Sequence, residues 1–292
     1  MPRPFPLAII TDEVSQELDK VLAFARDFRL DGLEIRSMFG RAFKDLTPTD
    51  LKQIRSRADA SGLKLPCCAS PVFKCEADQP AQVREHIDIF KRSLDAAHAL
   101  GSGLVRVFAF LRKNTPSTRD DLRHAADHFP PLIELARQAK VAIGLENEYT
   151  TMVASGAETR DFLAQLGDPS VGVVWDPCNI VFMPGSGDVV KDDYPRVAGR
   201  VIHYHVKDAK KEGGREPQHC VELGQGQVDH PAQIAALKKE GFEGWISLET
   251  HWRQKALSAE EQHLPAGYAF SANGEPASRV CMAHLARWLD QA

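Results

Sequence analysis

Short apolar, β-rich runs alternate with helical patterns from one end of the chain to the other. The run LAIIT (7–11) leads into SQELDKVLAFARDF, where Leu18, Val21, Leu22 and Phe24 or Ala25 recur at helical spacing. GLEIR (32–36) leads into TPTDLKQIRSRADASG, which opens on a threonine N-cap, places proline in its first turn and closes on Gly62. The runs LKLPCCAS (63–70), GLVRVFAF (103–110), VAIGLENE (141–148), VGVVWD (171–176), RVIHYHVKDAK (200–210) and GWISLET (244–250) follow, separated by helical stretches. The stretch between 171–176 and 200–210 holds only a weak helical region, near 189–198. Pro130-Pro131 predicts a bent or split helix, because proline lacks the amide donor and clashes with the preceding turn. Eight strand–helix units predict an α/β fold, a (β/α)₈ TIM barrel, as a single domain over residues 1–292. The competing open, doubly wound sheet usually carries a glycine-rich turn after its first strand; here LAIIT runs into TDEVSQ.

Alternation sorts the two faces of each strand. In 200–210, His203, His205 and Lys207 share one face, and Ile202, Tyr204 and Val206 share the other. Barrel enzymes carry their chemistry at the C-terminal ends of the strands. Those ends hold Glu146 and Glu148, then Asp176, then His203, His205 and Lys207, then Glu249. Glu34, Arg36 and Arg106 sit at equivalent places on earlier strands, and Lys74 in SPVFKC lies just past the third. Taken singly, each has a structural reading: Glu146 as a charge at the next helix, Asp176 as an N-cap, His203 as a core histidine, Lys207 as a solvated rim charge. Together they place carboxylate or imidazole groups at the ends of four consecutive strands. Clustered carboxylates repel and lose hydration, and a divalent cation cancels that cost. Three carboxylates with one imidazole form an oxygen-rich set suited to Mn²⁺, Mg²⁺ or Co²⁺ rather than a thiolate zinc site.

Composition narrows the picture further. A formal charge of -4, a pI of about 6.3 and the lack of a basic tract speak against a nucleic-acid partner. No apolar run is long enough to span a membrane, and the N-terminus shows no signal-peptide pattern. The six cysteines lack Cys-x-x-Cys spacing, which predicts free thiols and a cytoplasmic location. Two long loops break the rhythm: 210–228, and 251–275 with Trp252, Tyr268 and Phe270.

The segments GLENE, VVWDPCNI, HYHVKDA, ELGQGQVD and ISLET, in this order, resemble the xylose-isomerase-like barrels grouped as sugar phosphate isomerases/epimerases. TDEVSQELDKVLAFARDFRLDGLEIRS and SPVFKC extend the similarity over nearly the whole chain. The resemblance implies one divalent metal, Mn²⁺ first, with Mg²⁺, Co²⁺ or Zn²⁺ as alternatives. Its ligands fall on Glu146, Asp176, His205 and Glu249. His205 matches, rather than His203, because it directly precedes V-K-D. His203 then becomes a substrate or supporting contact, and Asn179 stands where some epimerases carry a substrate-binding histidine. Lys211 likewise stands where some carry an arginine.

The expected reaction is proton transfer beside the carbonyl of a keto sugar or sugar phosphate, through a metal-stabilised enediolate, with Glu146 and Glu249 as the catalytic pair. His203, Lys207, Arg36, Arg106, Lys74 and Asn179 are the candidate substrate contacts. The partner is a small-molecule carbohydrate, and the resemblance also implies a dimer or tetramer. The same ligands would serve an inosose-type dehydratase or a 3-keto-glycoside lyase. An endonuclease IV-like nuclease is the remaining alternative, but it needs more histidines at strand ends than this chain has.

Overall fold

The computed structural model describes residues 3–254 and 271–292. Its main sheet has seven parallel strands: β1 (Leu7–Ile10), β2 (Gly32–Glu34), β3 (Leu104–Val107), β4 (Ala142–Glu146), β5 (Val171–Trp175), β6 (Val201–Val206) and β7 (Trp245–Leu248). Their order is β2-β1-β7-β6-β5-β4-β3, so the first strand pairs with the last and the sheet curls. The gap between β2 and β3 is bridged by residues 64–68. Cys68 lies opposite both Ile35 and Val105. Its amide donates to the Leu104 carbonyl at 2.9 Å, and its own carbonyl accepts from the Arg106 amide at 3.0 Å. This is the run expected as a full strand over 63–70. It joins through isolated bridges instead, because Pro66 at its centre has no N–H to give to a ladder. With that bridge the fold is the expected (β/α)₈ barrel.

The helices follow their sequence signals. After α1 (Leu18–Phe28), α2 (Pro48–Ala60) starts in a capping box. The Thr47 hydroxyl accepts from the Asp50 amide, and the Asp50 carboxylate accepts from the Thr47 amide. Next come α3 (Pro80–Leu100), then α4 (Arg119–Ala126) and α5 (Pro130–Ala139). These last two are one helical pattern split at Pro130-Pro131. The cap of α6 (Gly156–Leu166) repeats the α2 arrangement with Ser155 and Glu158. The five-residue α7 (Pro177–Val181) was not apparent in the pattern of apolar positions. The weak helical region near 189–198 resolves into two short turns, Val189–Asp193 and Tyr194–Arg196. The longer α8 (His230–Lys239) and α9 (Gly274–Gln291) complete the outer layer. Among the described residues no helix is long and apolar enough to cross a membrane.

Alternation along the strands places the two faces as expected. On the outer face, the Tyr204 hydroxyl reaches His230 Nδ1 at 2.6 Å, and Trp175 Nε1 donates to Gln233 Oε1 at 3.0 Å; both partners are on α8. On the inner face there is no room at Gly144, where an added Cβ would stand 2.6 Å from Val174. Glu146, one pleat above Gly144, therefore projects over a packed barrel floor into the space at the strand ends.

A candidate metal centre at the C-terminal rim

Four consecutive strands deliver four donors. Glu146 ends β4, Asp176 follows β5, His205 sits near the end of β6, and Glu249 follows β7. One ligand atom from each lies within 4.8 Å of the others, and all four side chains are buried. His205 Nδ1 stands 3.3 Å from Glu146 Oε1 and 3.8 Å from Glu249 Oε2. Asp176 also caps α7, taking the Cys178 amide at 3.0 Å on Oδ1 and leaving Oδ2 turned to the centre. The cap thus uses one oxygen and leaves the other available to a ligand role.

A cation already occupies part of this space. The Lys207 ammonium lies 2.7 Å from Asp176 Oδ2 and 2.9 Å from Glu249 Oε2. It is buried, where the sequence placed it at a rim. Burial alone would favour the neutral amine, but Asp176 and Glu249 hold the group charged, well above its ordinary value. Neither Asp176 Oδ2 nor Glu146 Oε2 makes a well-oriented hydrogen bond, although both are shielded from solvent. Two under-satisfied carboxylate oxygens and an imidazole nitrogen fit the donor set of a hard divalent ion, and the ammonium seated between carboxylates shows that the site attracts positive charge.

The carboxylates differ in charge state. Burial pushes Asp176 up to about 7 against the pull of Lys207, with Glu249 and Glu146 adding to the rise. Burial also works against ionised Glu249, but Lys207, His251 and Arg36 outweigh it and hold that group well below the usual carboxylate range. Glu146 is lowered as well, because Arg106 and His205 overcome its desolvation.

The remaining predicted residues divide into braces and rim groups. Arg106 donates to the Ala69 and Ser70 carbonyls and pairs with Glu146 Oε2 at 3.0 Å. Arg36 pairs with Glu249 at 2.5 Å, Glu13 at 2.6 Å and Asp12 at 3.0 Å. The guanidiniums expected to meet substrate are thus engaged with the carboxylates of the site. Lys74 remains partly exposed, 3.4 Å from Glu148 and 4.9 Å above the Phe108 ring. Asn179 is buried and donates to the Asn147 carbonyl at 2.8 Å; its Oδ1 has no hydrogen-bond partner among the described residues. His203 lies one pleat below His205, buried against Glu34 at 2.9 Å. Lys211 reaches the Met183 carbonyl at 3.2 Å.

Some residues of the site were not singled out from sequence. Asp12 and Glu13 are wholly buried, and Glu13 also takes the His251 amide at 3.0 Å. Their signal was present: acidic residues directly after the apolar run LAIIT. Asn147 locks Asp176 in place by accepting its amide at 2.7 Å and donating to its carbonyl at 2.8 Å. A polar residue on the outward phase between Glu146 and Glu148 was the available clue. Asp208, directly after Lys207, organises loop 210–228. It accepts from the amides of Gly224 (3.0 Å), Gly226 (2.9 Å) and Val228 (3.2 Å). A Cβ at Gly226 would fall 1.9 Å from Asp208 Oδ1, so this approach of loop to carboxylate needs glycine there. Of loop 251–275, Tyr268 and Phe270 lie outside the described residues.

This barrel and its rim are the hallmarks of one class, and the chain belongs to it. Residues 22–273 match the family described as xylose isomerase-like TIM barrel. Among curated proteins, the inosose dehydratase of Erwinia tasmaniensis is 21% identical over 227 residues, 69% of this chain and 74% of that protein. Among solved structures, the IOLI protein with a bound zinc atom superposes with a TM-score of 0.74 at 19% identity, covering 98% of both chains. The D-allulose 3-epimerase from Methylomonas sp. gives 0.72 at 16% identity, covering 98% of this chain and 99% of that one.

Proposed function

We propose that the chain is a divalent-metal-dependent enzyme that moves a proton on the carbon beside the carbonyl of a keto sugar or related polyol. The observation that carries this reading is the convergence of Glu146, Asp176, His205 and Glu249, with an ammonium between two of them. These four would hold the ion, and Mn²⁺ suits their oxygen-rich set. When bound, the ion would act as a Lewis acid on a carbonyl and its neighbouring hydroxyl.

The chain's own groups do the rest. Glu146 and Glu249 reach the centre from β4 and β7 and are ionised at neutral pH. One carboxylate accepts the proton from carbon; for isomerisation it returns that proton to the neighbouring carbon, and for epimerisation the other carboxylate, after taking a proton from solvent, delivers it to the opposite face. Arg106 and Arg36 hold the two carboxylates in place. Lys74, partly exposed beside Glu148, and Asn179 Oδ1 are candidates to meet sugar hydroxyls.

A second reading, dehydration, is favoured by the inosose dehydratase of Erwinia tasmaniensis and by one side chain here. Lys207, next to Glu249, is an acid placed to protonate a departing hydroxyl. Incubation with Mn²⁺ and a panel of keto sugars and inososes in D₂O, followed by proton NMR, separates the readings. Deuterium at the carbon beside the carbonyl with all hydroxyls retained supports isomerase or epimerase chemistry. Loss of water supports dehydration. Turnover that persists in metal-free Glu249→Gln protein contradicts both.

A further inference from the structure

Glu34 stands at the end of β2, wholly buried, on the far side of the barrel floor from β6. Its carboxylate touches both histidines. Oε2 lies 2.9 Å from His203 Nε2, and Oε1 and Oε2 each lie 3.1 Å from His205 Nε2. An ionised carboxylate offers acceptors only, so each imidazole must present an N–H at Nε2. That requirement decides the other nitrogen of His205. Nδ1, facing Glu146 and Glu249, is then the atom whose lone pair a cation can take.

We propose that Glu34 is a positioning residue for the cation site: it fixes the tautomer and ring orientation of His205, with His203 clamping the carboxylate from below. The inference rests on the reading of Glu146, Asp176, His205 and Glu249 as that site. The two imidazoles cross edge to face, centroids 5.2 Å apart at 86°, so they reach Glu34 from different directions and stop it rotating. Glu34, Cys67 and His203 also lie close enough to suggest a second metal site. The geometry points elsewhere: both Glu34 oxygens are engaged by imidazoles. Burial also pushes the Cys67 thiol well up, so it remains an S–H neighbour rather than a thiolate ligand. Glu34 therefore serves the imidazoles rather than a second ion of its own.

The test is a Co²⁺ titration of the metal-free protein, read by competition with a chromophoric chelator and by the visible absorption of the bound ion. Glu34→Gln should weaken Co²⁺ binding by about 10–100-fold and alter the visible band, because the amide can also donate and no longer dictates the tautomer. Glu34→Asp, which keeps the charge but falls one methylene short, should show an intermediate loss and partial recovery of the band. It also serves as the test if Glu34→Gln does not fold. A folded Glu34→Gln with wild-type affinity and spectrum would overturn the proposal alone, as would a Glu34→Asp that matches wild type. A second Co²⁺ equivalent, lost on Cys67→Ala, would overturn it by giving Glu34 to another site. Failure of the wild-type chain to take up Co²⁺ would overturn the cation reading, and this proposal with it.

Discussion

The two halves of the barrel contribute to the site in different ways. Strands β4 to β7 each deliver one of the four converging donors. Strands β1 to β3 and their following turns deliver none of them. They supply Glu34, Arg36 and Arg106, which contact the donors His205, Glu249 and Glu146, and Asp12 and Glu13, which hold Arg36. One half presents chemistry and the other neutralises and orients it. Buried charge is tolerable only when paired, so a site this acidic needs both halves.

Removing a donor should have the largest effect. Glu249→Gln keeps the shape of the side chain but loses the proton acceptor, and activity with added Mn²⁺ should fall by about 10²–10⁴-fold. Removing a brace should act first on stability. Arg106→Met leaves Glu146 buried without its guanidinium, which should cost roughly 3–5 kcal/mol in urea unfolding. Adding Glu146→Gln to that variant should recover part of the loss. If the two losses simply add, the halves are not coupled as described.

Two substitutions sharpen the comparison by lying outside it. Asp208→Asn removes the charged acceptor for three loop amides next to the donor half. It should cost about 1.5–3 kcal/mol while leaving metal affinity nearly unchanged. Thr47→Ala breaks the α2 capping box, whose hydrogen bonds run to Asp50, and should cost about 1 kcal/mol, visible as a small fall in midpoint with no change in activity.

The smallest effect is a titration behind β6. His230 takes the Tyr204 hydroxyl on Nδ1 and donates Nε2–H to the Lys207 carbonyl at 3.1 Å, an arrangement for a neutral ring. Burial lowers its pKa from 6.5. The unfolded chain therefore binds this proton more readily than the folded one. The stability gained from a neutral His230 is present above pH 6.5 and declines as pH falls through that value toward the folded-state pKa. His230→Gln should flatten that part of the stability profile; an unchanged slope would assign it to other groups.

The donor half was legible because alternation within a strand and chemistry at strand ends are both local rules. GLENE, VVWD, HYHVKD and ISLET each carry their donor in the right phase. The order of the strands around the barrel then brings the four together without any need to predict side-chain contacts. The bracing half was less legible because its function lies in pairings across the sheet. Arg36 was read as facing the pocket, which it does, but its grip on Glu249 spans 213 residues of sequence. Glu34 was likewise placed facing the pocket, while its contact with both histidines depends on which strands face each other across the floor. The 63–70 run shows the reverse case. A local feature, Pro66, weakens a strand that the repeat demands, and the neighbouring strands hold it in place regardless.

The most direct test of the central claim is an Mn²⁺ titration of metal-free protein, with the free ion followed by electron paramagnetic resonance. Uptake of one equivalent per chain is predicted, abolished in a folded Asp176→Asn/Glu249→Gln double variant. No uptake by the wild-type chain, or undiminished uptake by that variant, would contradict it.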